Sequence, residues 1–128
     1  MSEAKPYSKA QQLARGERRY RRKVASPKQW QAIIAAKGSR CRLQIGDDGC
    51  VGDWVHYHHV IPSGNGGDDT ADNIVPLCDV HHSMLHDRIQ LVVFELLSDL
   101  SDAEYAYAVG KAGEDWAERI YGLRYERV

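Results

Sequence analysis

Apolar side chains are sparse at the start of the chain and then gather into short runs whose spacing changes from one segment to the next. Up to Ala25 the only large aliphatic residues are Leu13 and Val24, so residues 1–25 read as an arm rather than a packed element. Ser26-Pro27 marks a helix start. Trp30, Ile33, Ile34 and Lys37 fall on one side of that helix, with Trp30 as its core anchor, and Gly38 closes it. Tyr57 to Ile61 is aromatic and β-branched and stops at Pro62, which predicts a strand. Ser63 to Asp72, rich in Gly, Asn and Asp, is turn chemistry. Asn73 to Leu77 is a second extended run. Val80 to Arg88 fits a helix whose N-cap is Asp79 or Cys78. Ile89 to Leu97 is apolar almost throughout and fits a strand or a continuing helix alike. Ser101 and Glu104 form a capping box for a helix to about Ala112. Gly113 interrupts it, and residues 114–121 add a turn or two that brings Trp116, Ile120 and Tyr121 onto the core. The order predicts an α+β fold, strand–loop–strand–helix with flanking helices.

Histidine changes the picture. Five of the six histidines (His58, His59, His81, His82, His86) lie within the stretch from His58 to His86. On a helix His82 and His86 stand one turn apart on one face, a bidentate metal clamp. Cys78 and His81 are three apart and share a neighbouring face, roughly 100° round. One helix could therefore feed two metal sites.

In order, spacing and residue type the stretch resembles the HNH endonucleases of the ββα-metal fold, in their His-His…Asn…His-x-x-x-His version. The matching residues are His58-His59-Val60-Ile61-Pro62, Gly66-Gly67-Asp68, Asn73, Cys78-Asp79-Val80-His81-His82 and His86, within about residues 41–87. The resemblance implies one catalytic divalent metal on His58, His82 and His86, with His59 as general base and Asn73 orienting the loop that bears it. It implies hydrolysis of DNA phosphodiester bonds to leave a 5′-phosphate. A base near neutral pH and a cation on the phosphate are what that reaction needs. Neighbouring strand residues point to opposite faces, so His58 and His59 can serve one phosphate only where the strand bends or ends. All-histidine ligation suits Zn²⁺, Ni²⁺ or Mn²⁺ more than Mg²⁺, and the metal's identity stays open. Small proteins of this family recur in phages.

The family's usual Cys-x-x-Cys knuckle is altered. Gln44 stands where a second cysteine would follow Cys41, and His81 stands where the helix would carry another. Cys41, Cys50, Cys78 and His81 form the expected structural zinc set, with His56 or a loop aspartate as an alternative fourth ligand. The domain reading is a basic arm over 1–25 and one HNH domain over 26–128, with its core at 41–88 and a C-terminal helical extension at 98–122.

Composition adds a charge asymmetry. The net charge is −1 over 128 residues, yet through Arg42 twelve Lys/Arg face two acidic residues, and from Leu43 on five face sixteen. Arg18, Arg19, Arg21, Arg22 and Lys23 are the expected contacts to the DNA phosphate backbone. Three cysteines with no apolar leader, and no segment long enough to span a membrane, suggest a reducing cytoplasmic setting. Protein partners are not legible. Two readings compete: a zinc-stabilised nucleic-acid-binding module without catalysis, and the same chemistry on RNA.

Overall fold

The computed structural model describes residues 22–43, 50 and 54–127. Arg18, Arg19 and Arg21 lie outside these. Helix α1 (Pro27–Lys37) starts on a complete capping box, in which Ser26 Oγ accepts from Gln29 N–H and the Gln29 side chain accepts from Ser26 N–H. Gly38 stops it at φ 80, with its N–H bonded back to Ile34 O. Only Ile33 is buried along this helix. Trp30 is half-buried, and its ring meets that of His59 edge-on with centroids 6.0 Å apart. It walls the His59 environment instead of anchoring the core.

Strands β1 (Val55–His59) and β2 (Ile74–Cys78) pair antiparallel, with His58 opposite Val75 and His59 opposite Ile74. β1 begins two residues before the expected run and stops at His59. The stop has a cause: Val60 N–H still reaches Asn73 O at 2.8 Å, but Ile61 N–H is taken by Asn73 Oδ1 at 2.8 Å. A side chain replaces the ladder there. Every residue of β2 is buried, and α1 and the following helix both pack on it.

Two short 3-10 turns, Ser63–Asn65 and Ala71–Asn73, carry the connecting loop. Gly66 sits in the left-handed region at φ 87. A Cβ on Gly67 would lie 1.7 Å from Ile61 O, so only glycine lets the loop fold back on the strand end.

Helix α2 (Asp79–His86) is capped by Cys78, whose Sγ accepts from His81 N–H at 3.3 Å. The apolar run that followed is helix α3 (Gln90–Asp99), so the helical extension starts at Gln90 rather than at 98. Val92, Val93, Leu96 and Leu97 form its buried stripe, a helical spacing masked in the sequence by the outward-facing Leu91 and Phe94. Helix α4 (Asp102–Ala112) begins on the Ser101–Glu104 box, and α5 (Trp116–Tyr121) ends at Gly122. Trp116 is fully buried against Tyr105 and Tyr121.

Glu104 is one of the buried carboxylates that tie the acidic half back to the basic half. Glu104 accepts from Arg42 at 3.0 and 2.7 Å and pairs with Lys37. Burial pushes its pKa up, but the hydrogen bonds from Arg42 and Lys37 outweigh that and hold it at about 2. Among the described residues no helix is long and apolar enough to cross a membrane.

Candidate metal and active site

Cys41, Cys50, Cys78 and His81 bring their ligand atoms within 4.8 Å of one another. His81 Nδ1 lies 3.3 Å from both Cys41 Sγ and Cys78 Sγ. Tetrahedral zinc with bonds of about 2.3 Å to sulfur and 2.0 Å to nitrogen sets an S···N edge of about 3.5 Å, so the cage fits. Four side chains that could ligate one ion would close the site to further ligands. His56 bonds Asp79 Oδ1 at 3.0 Å and stacks on His82, away from the cysteines. Burial raises the Cys41 thiol to about 12.

The second cluster is His58, His82 and His86, again within 4.8 Å. His58 comes from β1; His82 and His86 come from α2, with their Nε2 atoms 3.3 Å apart. Two nitrogens bound at about 2.1 Å with a tetrahedral angle lie about 3.4 Å apart, so this pair is already at ligand spacing. Burial, reinforced by the rings of His82, His86 and His59, pushes His58 down to about 3. Burial and the His86 and His56 rings lower His82 as well, against the pull of Asp79. Both imidazoles are neutral at pH 7, the form that binds metal. A metal held by these three side chains would keep coordination positions open, as catalytic centres require.

His59 turns elsewhere. Its Nε2 is 2.7 Å from Asp69 Oδ1, and its side chain keeps 25% of its exposure while that of Asp69 keeps 6%. Ala25 N–H donates to Asp69 Oδ2 at 2.9 Å, and Arg22 pairs with the same carboxylate. Burial opposes ionisation of Asp69, but the bonds from His59, Ala25 and Arg22 hold its pKa below the usual carboxylate range. His58 and His59 face different partners, as neighbours in a strand do, and β1 ends at His59, which is the condition for both to serve one phosphate.

Asn73 is fully buried and knits the loop. It accepts from Ile61 N–H, and its Nδ2 donates to Ile61 O and Asp68 O at 3.0 Å each. Asp68 ties the same loop to α4 through Tyr107, at 2.7 Å, and Lys111, at 3.2 Å. Arg22 and Lys23, read as the end of a loose arm, are docked here: Arg22 Nε donates to Gly67 O at 2.7 Å, and Lys23 N–H donates to Asp68 Oδ1 at 2.6 Å. Arg22 thus has a protein partner, and Arg22 and Lys23 lie beside the loop that touches His59.

Two residues escaped the sequence reading. Asp69 was one of three loop aspartates with no feature to separate it from its neighbours. Tyr121 accepts from or donates to His58 Nε2 at 2.9 Å, yet it belongs to a helix 63 residues downstream whose pattern signals only packing. A scan for carboxylates just after the Gly-Gly pair would have raised Asp69; no local signal points to Tyr121.

Residues 39–88 match the family model described as HNH endonuclease. Searches of curated proteins and of solved structures give no significant match. Both candidate ligand sets fall within it, and the segment 39–88 is an HNH-endonuclease-family domain of the ββα-metal fold, a family whose function is of the metal-dependent nuclease type.

Proposed function

We propose that the protein is an endonuclease hydrolysing DNA phosphodiester bonds, with His58, His82 and His86 holding a divalent metal and His59 acting as general base. The observation that carries this reading is the strand end at His59. There, one histidine joins an open three-imidazole cluster, and the next keeps a carboxylate partner and partial exposure. When bound, the metal supplies positive charge to the scissile phosphate and the departing oxygen. His58 and His82, held neutral, bring no proton that would have to leave first. Asp69 accepts the His59 Nε2–H and so leaves Nδ1 with its lone pair free to take a proton from water. Asn73 fixes the loop that carries Asp69, and Cys41, Cys50, Cys78 and His81 would hold a structural zinc. Lys23 and the arginines upstream would meet the phosphate backbone, while Arg22 holds Asp69 and Gly67. A site with three thiolate ligands suits a reducing cytoplasm.

Cleavage of plasmid DNA and of a structured RNA, after chelation and add-back of Zn²⁺, Ni²⁺, Mn²⁺ or Mg²⁺, tests the proposal. DNA should be cut by the wild type to 5′-phosphate ends, and His59→Ala should slow cutting by roughly 10²–10⁴-fold while the fold persists. Retained DNA binding with no cleavage under any metal would leave only a zinc-stabilised binding module. Cleavage confined to RNA would change the substrate.

A further inference from the structure

The C-terminal helix α5 lies outside the segment matched by the family, yet it delivers a hydroxyl to the histidine cluster. Tyr121 is buried, and its oxygen stands between two groups. It is 2.6 Å from Val60 O and 2.9 Å from His58 Nε2. A carbonyl oxygen can only accept, so the single phenolic proton goes to Val60 O. The tyrosine oxygen is then left as an acceptor, and the His58 nitrogen facing it must carry hydrogen.

We infer that Tyr121 is a positioning residue that fixes His58 as its Nε2–H tautomer and so presents the Nδ1 lone pair to the metal. Ligating histidines commonly give their second N–H to an acceptor, which sets tautomer and ring orientation. Here the acceptor is a phenol that is itself oriented by the carbonyl two residues beyond the ligand. The placement is braced from the other side, since Arg88, directly after α2, donates through Nη2 to Ile120 O at 2.9 Å. The hydroxyl therefore links three parts of the chain: the end of β1, the metal cluster and the last helix. The inference rests on the His58–His82–His86 metal reading, but not on cleavage.

The test reads metal affinity and tautomer directly. Protein carrying zinc in its cysteine site is titrated with Ni²⁺ by calorimetry, as wild type and as Tyr121→Phe. Loss of the hydroxyl should weaken Ni²⁺ binding by about 10- to 100-fold, the usual effect of removing such a partner. Long-range ¹H–¹⁵N correlation spectra of histidine-labelled wild type should show His58 protonated at Nε2, which needs no variant to fold. The Tyr121→Phe spectrum should show a mixture of tautomers. A wild-type His58 carrying its proton at Nδ1 overturns the inference. So does Ni²⁺ affinity that is unchanged or tighter in a folded Tyr121→Phe, because the phenol would then be a bystander or an occupant of the metal's place. Weakened Ni²⁺ binding in a protein that cuts no nucleic acid would uphold the inference while the nuclease reading fails.

Discussion

Replacing Asp69 by asparagine isolates the partner of the proposed base. The side chain keeps its shape and one oxygen for Ala25 N–H, but it loses the charge that draws His59 Nε2–H at 2.7 Å. A hydrogen bond to a charged group contributes about 1.5–3 kcal/mol. If that bond acts by holding His59 in the tautomer with Nδ1 free, its loss falls on kcat. At about 1.4 kcal/mol per tenfold, the expected slowing is about 10- to 150-fold. His59→Ala should be slower still, because a general base contributes roughly 10²–10⁴-fold. The informative assay is a cycle: initial rates of plasmid cleavage at saturating metal for wild type, Asp69→Asn, His59→Ala and the double variant. Residues acting as one unit do not add. The double variant should therefore match His59→Ala. Wild-type rates in Asp69→Asn, or a further full loss in the double variant, would refute the pairing as a catalytic device.

Three further outcomes follow from packing and charge. Gly67→Ala places a methyl 1.7 Å from Ile61 O, far inside contact distance. It should destabilise the protein by more than the roughly 1–3 kcal/mol of ordinary overpacking, read as a drop in the thermal midpoint. Glu104 has its pKa lowered from 4.5 to about 2, so its stabilisation is complete above pH 4.5 and disappears as pH falls towards 2. Urea titrations should find Glu104→Gln weaker than wild type at pH 7 by on the order of 3 kcal/mol, with the gap closing by pH 2 to 3; a gap independent of pH would contradict the linkage. Removing zinc with a strong chelator should unfold the segment around Cys41, Cys78 and His81, lowering the thermal midpoint in a way that Zn²⁺ add-back reverses.

Much of the site was legible because its signals are local. The i, i+4 pair His82–His86 and the i, i+3 pair Cys78–His81 place two ligand sets on α2 by helical geometry alone. The Gly66-Gly67 turn is likewise dictated by backbone sterics. What stayed hidden depends on contacts between distant segments. Asp69 is selected by its approach to His59 and by the docking of Arg22, and Tyr121 by the packing of α5; neither leaves a periodic trace. Trp30 looked like an anchor because its helix face is apolar, but only Ile33 of that face reaches the core. The run from Ile89 to Leu97 was ambiguous because exposed Leu91 and Phe94 fill positions where polar residues would have revealed the helical period.

The claim beneath all of this is that His58, His82 and His86 hold a cation of their own, apart from the zinc proposed for Cys41, Cys50, Cys78 and His81. Metal content per chain, measured by mass spectrometry on protein dialysed with Zn²⁺ or Ni²⁺, tests it directly. The wild type should carry two metals, and the double variant His82→Ala/His86→Ala should carry one and remain folded. A single metal in the wild type, unchanged in that variant, would contradict the account.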